Sequence, residues 1–228
     1  MNKTRLDGIS AVVFDAYGTL FNLNAMSEIA RPLADAKTDA LLDLWRRKQL
    51  EYSWLRSLTG QHTDFLQITA DSLDYACAAL GLDNATLRAR LLDAYRTPTA
   101  YEEVPEMLSR LRAAGLGRAI LSNGSPAMLA SGVAAAGLET LLDAVLSVSS
   151  VGIFKPHPAV YRLAVNHFHV APEQIAFVSS NGWDVAGAAA FGFQVAWVNR
   201  AGLPAERLPS GPSAMLSDLT ALPALLGV

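Results

Sequence analysis

The stretch AVVFDAYGTLF, residues 11–21, decides the fold class of this chain. Val12, Val13 and Phe14 form a short apolar run typical of a buried strand, and the run ends on a lone carboxylate, Asp15. Gly18 follows closely and allows the backbone to turn tightly after the strand. Taken alone, an aspartate in this place more often caps a turn or helix than carries chemistry. The remaining sequence has to decide between the two interpretations.

Three more runs of this kind follow: GRAILS at 117–122, IAFVS at 175–179 and VAWVN at 195–199. Helical stretches lie between them and open on Pro126 and Pro158, where the missing N–H of proline costs nothing. This alternation predicts an α/β fold with a Rossmann-like parallel sheet covered on both faces. Ligands collect at the carboxyl ends of such strands, so Asp15, Ser122 and Ser179 are expected to share one crevice.

Residues 22–100 interrupt the alternation, because three helical segments at 38–58, 63–80 and 84–95 follow one another without convincing strands between them. We therefore predict a helical cap subdomain at 22–100, inserted into a core domain formed by residues 1–21 and 101–228. Pro105 predicts the start of the next core helix, and the proline-rich stretch 202–214 predicts a surface loop.

Composition excludes several classes of function. The 228 residues carry a formal net charge of −3, without the basic face that nucleic acid requires or a Lys/Arg run suited to a membrane surface. Cys77 is the only cysteine, so no intrachain disulfide is possible, and its apolar helical context predicts a buried, inert thiol. The chain opens without a hydrophobic signal segment. These features predict a cytoplasmic protein with no nucleic-acid or membrane partner.

Three further short motifs accompany Asp15: LSNG at 121–124, FKPHPAVY at 154–161 and SSNGWD at 179–184. Each is weak alone. Ser and Asn are common turn formers, a lysine between phenylalanine and proline usually faces solvent, and Asp184 can simply cap the following helix. Their order along the chain and their positions after strands together indicate one active site.

This set closely resembles the haloacid dehalogenase superfamily, whose four motifs match FDAYGTL, LSNG, KP and SSNGWD. Most members are phosphatases, which need a second aspartate two residues after the first and an acidic fourth motif for Mg²⁺. Here Tyr17 and Ser179 stand at those positions. A phenol, with an ordinary pKa of about 10, cannot replace a carboxylic acid as proton donor. The chain therefore resembles the L-2-haloacid dehalogenase branch, which the stretch LWRRKQLEYSWLRSL at 44–58 also matches.

The resemblance implies hydrolytic dehalogenation of short L-2-haloalkanoic acids to D-2-hydroxy acids and halide. Asp15 would attack the α-carbon with inversion and form an aspartyl ester, which water then hydrolyses. The family also implies a homodimer, and it implies that neither a cofactor nor a metal takes part. Two alternatives stay open: a Mg²⁺-dependent phosphatase of the same superfamily, and a non-catalytic protein that only binds a small acid.

The resemblance also implies a role for each matched residue. Lys155 would keep Asp15 ionised through its charge, and Asp184 would activate or position the water. The other residues form three groups: the substrate carboxylate would be held by Ser122 and the backbone N–H groups of Ala16 and Tyr17, the halide by Arg46, Asn123 and Phe65, and the water by Asn181, Ser179 and Thr19. Tyr161 would bond the active-site network and Trp183 would pack the pocket, although an aromatic core position explains either residue nearly as well.

Two neighbouring arginines of the cap are predicted to differ. Arg46 lies between Leu42 and Leu50 on an apolar stripe of the helix. An arginine in such a place either extends to solvent or binds a buried anion, and the residues alone favour neither interpretation. Arg47 lies four residues from both Asp43 and Glu51, a spacing that predicts ordinary surface ion pairs.

Overall fold

A six-stranded parallel sheet forms the centre of the computed structural model, which describes residues 5–228. Residues 1–4 of the predicted core domain lie outside the described part of the chain. The strand order is β5-β4-β1-β6-β7-β8. The strands are β1 (Ala11–Phe14), β4 (Gly117–Ser122), β5 (Ala144–Ser147), β6 (Ile175–Ser179), β7 (Gln194–Val198) and β8 (Ala214–Leu216). The predicted α/β class with a parallel sheet is confirmed.

Helices of the core cover this sheet. They are α5 (Val104–Ala113), α6 (Pro126–Ala135), α7 (Pro158–Phe168), α8 (Gly182–Phe191) and the short α9 (Leu222–Leu225). Pro105, Pro126 and Pro158 lie in the first turns of α5, α6 and α7, as predicted. All four residues of β1 are buried, which requires cover on both faces of the sheet. Asp15 therefore follows a central strand that is buried on both faces.

Strands β5 and β8 were not predicted. Both are short strands on the sheet's outer edges, and each has residues open to solvent. With four and three residues, their apolar runs are too short to indicate a strand. The predicted surface loop 202–214 is exposed over most of its length, but its last residue, Ala214, is buried and begins β8.

Four helices separate the first strand from the rest of the sheet. They are α1 (Ala25–Ala34), α2 (Thr38–Thr59), α3 (Phe65–Ala79) and α4 (Ala85–Arg96). The last three match the predicted segments, whereas α1, which contains Pro32, was not predicted. A two-stranded antiparallel ribbon, β2 (Phe21–Asn22) with β3 (Thr99–Ala100), joins the ends of this helical block. The predicted limit between residues 21 and 22 therefore falls inside β2, because a two-residue strand leaves no periodic pattern.

The surroundings of Cys77 differ from the expectation. The residue is half-buried on α3 rather than buried, and its partial burial raises the pKa of the thiol. Within residues 5–228, no helix combines the length and the apolar character that a membrane span requires.

Candidate active site

Asp15 lies directly after β1, and its carboxylate is held by three side chains. Lys155 Nζ lies 3.1 Å from Oδ1, Asn181 Nδ2 donates to Oδ2 at 2.9 Å, and Thr19 Oγ1 lies 3.3 Å from Oδ2. Gly18 makes the turn with φ of +83°, and a Cβ there would lie 3.1 Å from Ser180 Oγ. Only 7% of Asp15 is exposed, so the carboxylate is largely removed from water but remains reachable.

Lys155 is completely buried, unlike most lysines that stand between phenylalanine and proline. Its Nζ contacts two carboxylates, Asp15 Oδ1 at 3.1 Å and Asp184 Oδ2 at 2.8 Å. Burial alone would lower the pKa of Lys155, but the two carboxylates outweigh burial and raise the pKa. The side chain is therefore a buried, charged ammonium. Its backbone N–H donates to Asn123 Oδ1 at 3.0 Å, which fixes the loop ahead of α7.

Asp184 lies in the first turn of α8 and is also completely buried. Its Oδ2 contacts Lys155, and its Oδ1 accepts a hydrogen bond from the Tyr161 hydroxyl at 2.8 Å. Burial raises the pKa of Asp184, and the Lys155 ammonium opposes that rise. The structure places Tyr161 in the polar network as well as in the core, so an aromatic core position does not account for it completely.

Two hydroxyl groups fix the loop that follows β6. Ser179 Oγ accepts from the backbone N–H of Asn181 at 3.1 Å, and Thr19 Oγ1 accepts from the backbone N–H of Ser180 at 2.9 Å. These bonds determine where the Asn181 side chain begins. Ser179 therefore acts on Asp15 only through Asn181, whereas Thr19 approaches the Asp15 carboxylate directly.

Hydrogen-bond donors without an acceptor lie beside Asp15, at the carboxyl ends of β1 and β4. Among the hydrogen bonds of residues 5–228, none uses the backbone N–H groups of Ala16 and Tyr17, although both residues are buried. Ser122 ends the neighbouring strand β4, and its Oγ accepts from the N–H of Gly124 at 3.1 Å, which leaves its hydroxyl hydrogen free for another acceptor. Buried donors without acceptors are costly, so this arrangement favours a bound anion.

Arg46 connects the helical block to Asp15. From α2, its Nη2 donates to Asn181 Oδ1 at 3.0 Å, and Asn181 in turn donates to Asp15. The Arg46 side chain therefore extends toward the network around Asp15, and its role toward a buried anion stays a prediction. Arg47 is exposed and pairs with Asp43 at 3.0 Å, as predicted. Its second predicted partner is wrong, because Glu51 pairs with Lys48 instead.

The remaining predicted residues surround this centre. Phe65 is buried on α3 and packs against Phe154, with ring centroids 5.8 Å apart. The side-chain oxygen of Asn123, Oδ1, accepts from the backbone N–H of Lys155. Its side-chain nitrogen, Nδ2, has no hydrogen-bond partner within residues 5–228. Trp183 is half-buried and meets Trp54 of α2 edge to face, with centroids 5.7 Å apart. Trp183 thus lies where α2 and α8 approach each other.

Comparison with known proteins identifies the family of this chain. The family model for haloacid dehalogenase-like hydrolases matches residues 9–192. The chain belongs to this hydrolase family. The (S)-2-haloacid dehalogenase 1 of Pseudomonas sp. (strain CBS-3) is 44% identical over 223 residues, which cover 97% of this chain and 98% of the relative. The similarity to this relative assigns the chain, a haloacid dehalogenase-like hydrolase, to the L-2-haloacid dehalogenase branch.

Solved structures give the same result. A crystal structure of an L-2-haloacid dehalogenase matches with a TM-score of 0.94 and 43% identity, covering 96% of this chain and 99% of the other. A second, from Xanthobacter autotrophicus with chloropropionic acid covalently bound, matches with a TM-score of 0.86 and 39% identity, covering 95% and 98%.

The Mg²⁺ site common among phosphatases of the superfamily does not fit this hydrolase. Burial, followed by the influence of Tyr95 and Asp15, raises the pKa of Tyr17, so its phenol stays neutral. Ser179 offers only a hydroxyl, and the carboxylates of Asp15 and Asp184 share the Lys155 ammonium. Residues 5–228 contain no group of three or more His, Cys, Asp or Glu side chains placed to hold a metal ion. Mg²⁺ demands more oxygen ligands than this set offers.

One residue beside the site was missed. Gln49 lies three positions after Arg46 on α2, and its Oε1 accepts from Arg46 Nη1 at 2.6 Å. The i, i+3 spacing from Arg46 is the sequence feature that would have identified it.

Proposed function

We propose that this hydrolase cleaves the carbon–halogen bond of short L-2-haloalkanoic acids and forms D-2-hydroxy acids and halide. The observation that carries the proposal is the chain of contacts from Lys155 through Asp15 and Asn181 to Arg46. In this chain of contacts the Asp15 carboxylate, the proposed nucleophile, lies beside the Lys155 ammonium and is linked through Asn181 to the Arg46 guanidinium. The relatives and the structure with covalently bound chloropropionic acid support the same chemistry.

The first step is a displacement at the α-carbon. One Asp15 oxygen forms a bond to this carbon while the carbon–halogen bond breaks, and the electron pair of that bond leaves with the halide. A carboxylate becomes an effective nucleophile when it is desolvated and held at attack distance, as the burial and the three contacts of Asp15 support. The N–H groups of Ala16 and Tyr17, with the Ser122 hydroxyl, hold the substrate carboxylate.

Arg46 and the Asn123 amide nitrogen stabilise the halide as negative charge develops on it, and Phe65 forms an apolar wall. Such preorganised donors act more strongly in a site from which water is excluded. Trp183 closes the substrate pocket from the side of α8.

The second step hydrolyses the ester. Water attacks the Asp15 carbonyl carbon and the bond between that carbon and the substrate oxygen breaks. One of the two protons of the water goes to the departing hydroxy acid and the other is released to solvent, so that Asp15 returns as a carboxylate. Asp184 orients the water and receives the first of these protons, which then passes to the departing hydroxy acid. The raised pKa of Asp184 suits this role, and Tyr161 holds its carboxylate in place. Thr19, Ser179 and Asn181 arrange the loops around the water.

The proposed displacement predicts the stereochemical course. A single in-line displacement inverts the α-carbon, and the later attack on the ester carbonyl does not touch that centre. L-2-chloropropionate is therefore expected to yield D-lactate with stoichiometric chloride, whereas D-2-chloropropionate is expected to be inert. Chiral chromatography together with halide titration measures both quantities. Racemic lactate, or comparable turnover of the two enantiomers, would contradict the proposal.

A second prediction separates this activity from that of a Mg²⁺-dependent phosphatase. Because Tyr17 and Ser179 replace two acidic positions, halide release is expected to be unchanged after exhaustive treatment with EDTA. A generic phosphomonoester such as p-nitrophenyl phosphate, supplied with Mg²⁺, serves as the opposing assay. Loss of halide release with EDTA and its recovery on adding Mg²⁺ would exclude the metal-independent mechanism.

We further propose that the protein acts in the cytoplasm as a homodimer, without a nucleic-acid or membrane partner and without a cofactor. In the same proposal, residues 22–100 form a helical cap over the core formed by the rest of the chain. A non-catalytic acid binder is the weaker alternative, because simple binding does not require a carboxylate nucleophile paired with a fully buried lysine.

A further inference from the structure

Three helices converge on the side chain of Gln49. This residue of α2 is only 1% exposed. Its Oε1 accepts two hydrogen bonds, from Arg46 Nη1 at 2.6 Å and from the Tyr95 hydroxyl of α4 at 3.2 Å. Its Nε2 donates to Thr69 Oγ1 of α3 at 2.8 Å. A single amide thus joins the arginine of α2 to two other helices, α3 and α4.

The Thr69 hydroxyl determines which way this amide faces. Thr69 Oγ1 lies 2.7 Å from the carbonyl oxygen of Phe65, which can only accept, so the hydroxyl hydrogen must point there. Thr69 Oγ1 is then an acceptor for Gln49, and the amide nitrogen must face it. The amide oxygen consequently faces Arg46 and Tyr95. This order of donors and acceptors leaves one orientation for the Gln49 side chain.

We propose that Gln49 is a positioning residue for Arg46, an inference that rests on the proposed function. Arg46 is held at both ends of its guanidinium, by Gln49 through Nη1 and by Asn181 through Nη2. With two donors engaged, the plane of the group is fixed, and its remaining N–H donors have one direction in which to meet a leaving halide. A neutral amide also orients the cation without cancelling the charge that the halide needs.

Replacement of Gln49 by methionine tests the inference, because methionine keeps the length of the side chain but removes the acceptor. The measured quantity is kcat/KM for L-2-chloropropionate and for L-2-bromopropionate, which reports the steps up to and including displacement. Chloride is the poorer leaving group and depends more on stabilisation of its charge. Gln67→Met is the matched control, since Gln67 is exposed on α3 and its side-chain amide donates to Asp71.

We expect Gln49→Met to lower kcat/KM for the chloro acid by about 10²-fold, the size of effect seen when a catalytic group is misplaced by about 1 Å. The loss for the bromo acid should be smaller, so the ratio of the two values changes. This ratio does not depend on the fraction of folded enzyme, which separates positioning from simple destabilisation. Gln67→Met should leave both values unchanged.

Two further variants test the inference if Gln49→Met folds poorly. Thr69→Val removes only the acceptor that orients the amide and should shift the chloro-to-bromo ratio in the same direction by a smaller factor. Gln49→Glu keeps an acceptor but places a negative charge against Arg46, which offsets the charge available to the halide. It should therefore lower kcat/KM for the chloro acid more than kcat/KM for the bromo acid. Equal losses for both substrates, or no loss, would overturn the positioning role. A wild-type protein that releases no halide would instead overturn the proposed function and the inference with it.

Discussion

Replacement of Asp15 by asparagine is expected to reduce halide release to the uncatalysed background. A neutral amide is a far poorer nucleophile than a carboxylate, and Asp15 is the group that forms the new bond in the proposed first step. The fold should survive, because asparagine has nearly the same shape and can still meet Lys155 through its carbonyl oxygen. Circular dichroism before the assay checks that the variant is folded.

The path of oxygen then tests whether Asp15 itself attacks. With enzyme in excess over L-2-chloropropionate in ¹⁸O-water, the first-turnover product should carry unlabelled oxygen at its new hydroxyl. The label should appear in the peptide that contains Asp15, since the hydrolytic water replaces the oxygen that left with the product. Asp15→Asn should show no incorporation at this position.

Direct attack by water is the strongest competing mechanism, and it also inverts the α-carbon. It predicts labelled product in the first turnover and an unlabelled Asp15 peptide. That outcome would make Asp15 a general base, and the aspartyl ester would have to be abandoned.

Arg46→Lys is expected to lower turnover by about 10²–10³-fold, the usual cost of losing one preorganised donor to a developing negative charge. Lysine retains the charge, but its single ammonium cannot reproduce the planar contacts to Gln49 and Asn181. The adjacent Arg47→Lys is the matched control. Arg47 makes only an exposed ion pair with Asp43, and such pairs contribute little.

Steady-state halide release from both variants, at matched protein concentrations, measures the difference. The control should stay near the wild-type rate. If the two lysine variants lost activity equally, the assignment of the inward-facing arginine on α2 would be wrong.

The central part of the sheet could be predicted because burial on both faces leaves a continuous apolar run. Strands β1, β4, β6 and β7 all carry such runs. The edge strands β5 and β8 were missed because they have only four and three residues, too few for an apolar run to indicate a strand, and both are partly exposed. The β2–β3 ribbon has two residues on each side and depends on a pairing between distant parts of the chain.

The site was predictable to the extent that strand ends meet at one edge of a parallel sheet. That rule brings Asp15, Ser122 and Ser179 together without further information. The burial of Lys155 was not predictable from its neighbours in sequence, since only contact with two distant carboxylates compensates its desolvation. For Gln49, the contact with Arg46 could be inferred from their i, i+3 spacing, but the contacts with Thr69 and Tyr95 could not, because these partners lie 20 and 46 residues away along the chain.

The two cations of the site belong to different parts of the molecule, and in the proposed reaction this separation decides where the negative charge moves. In the proposed displacement, one negative charge moves from Asp15, beside the core residue Lys155, to the halide beside Arg46 of α2. The net charge of the site is the same before and after, so the low-dielectric interior never has to accommodate a newly created ion. Lys155 is fully enclosed, whereas Arg46 is half-buried. In this proposal the charge moves toward the more exposed of the two cations, and we expect the halide to depart along the α2 side of the crevice.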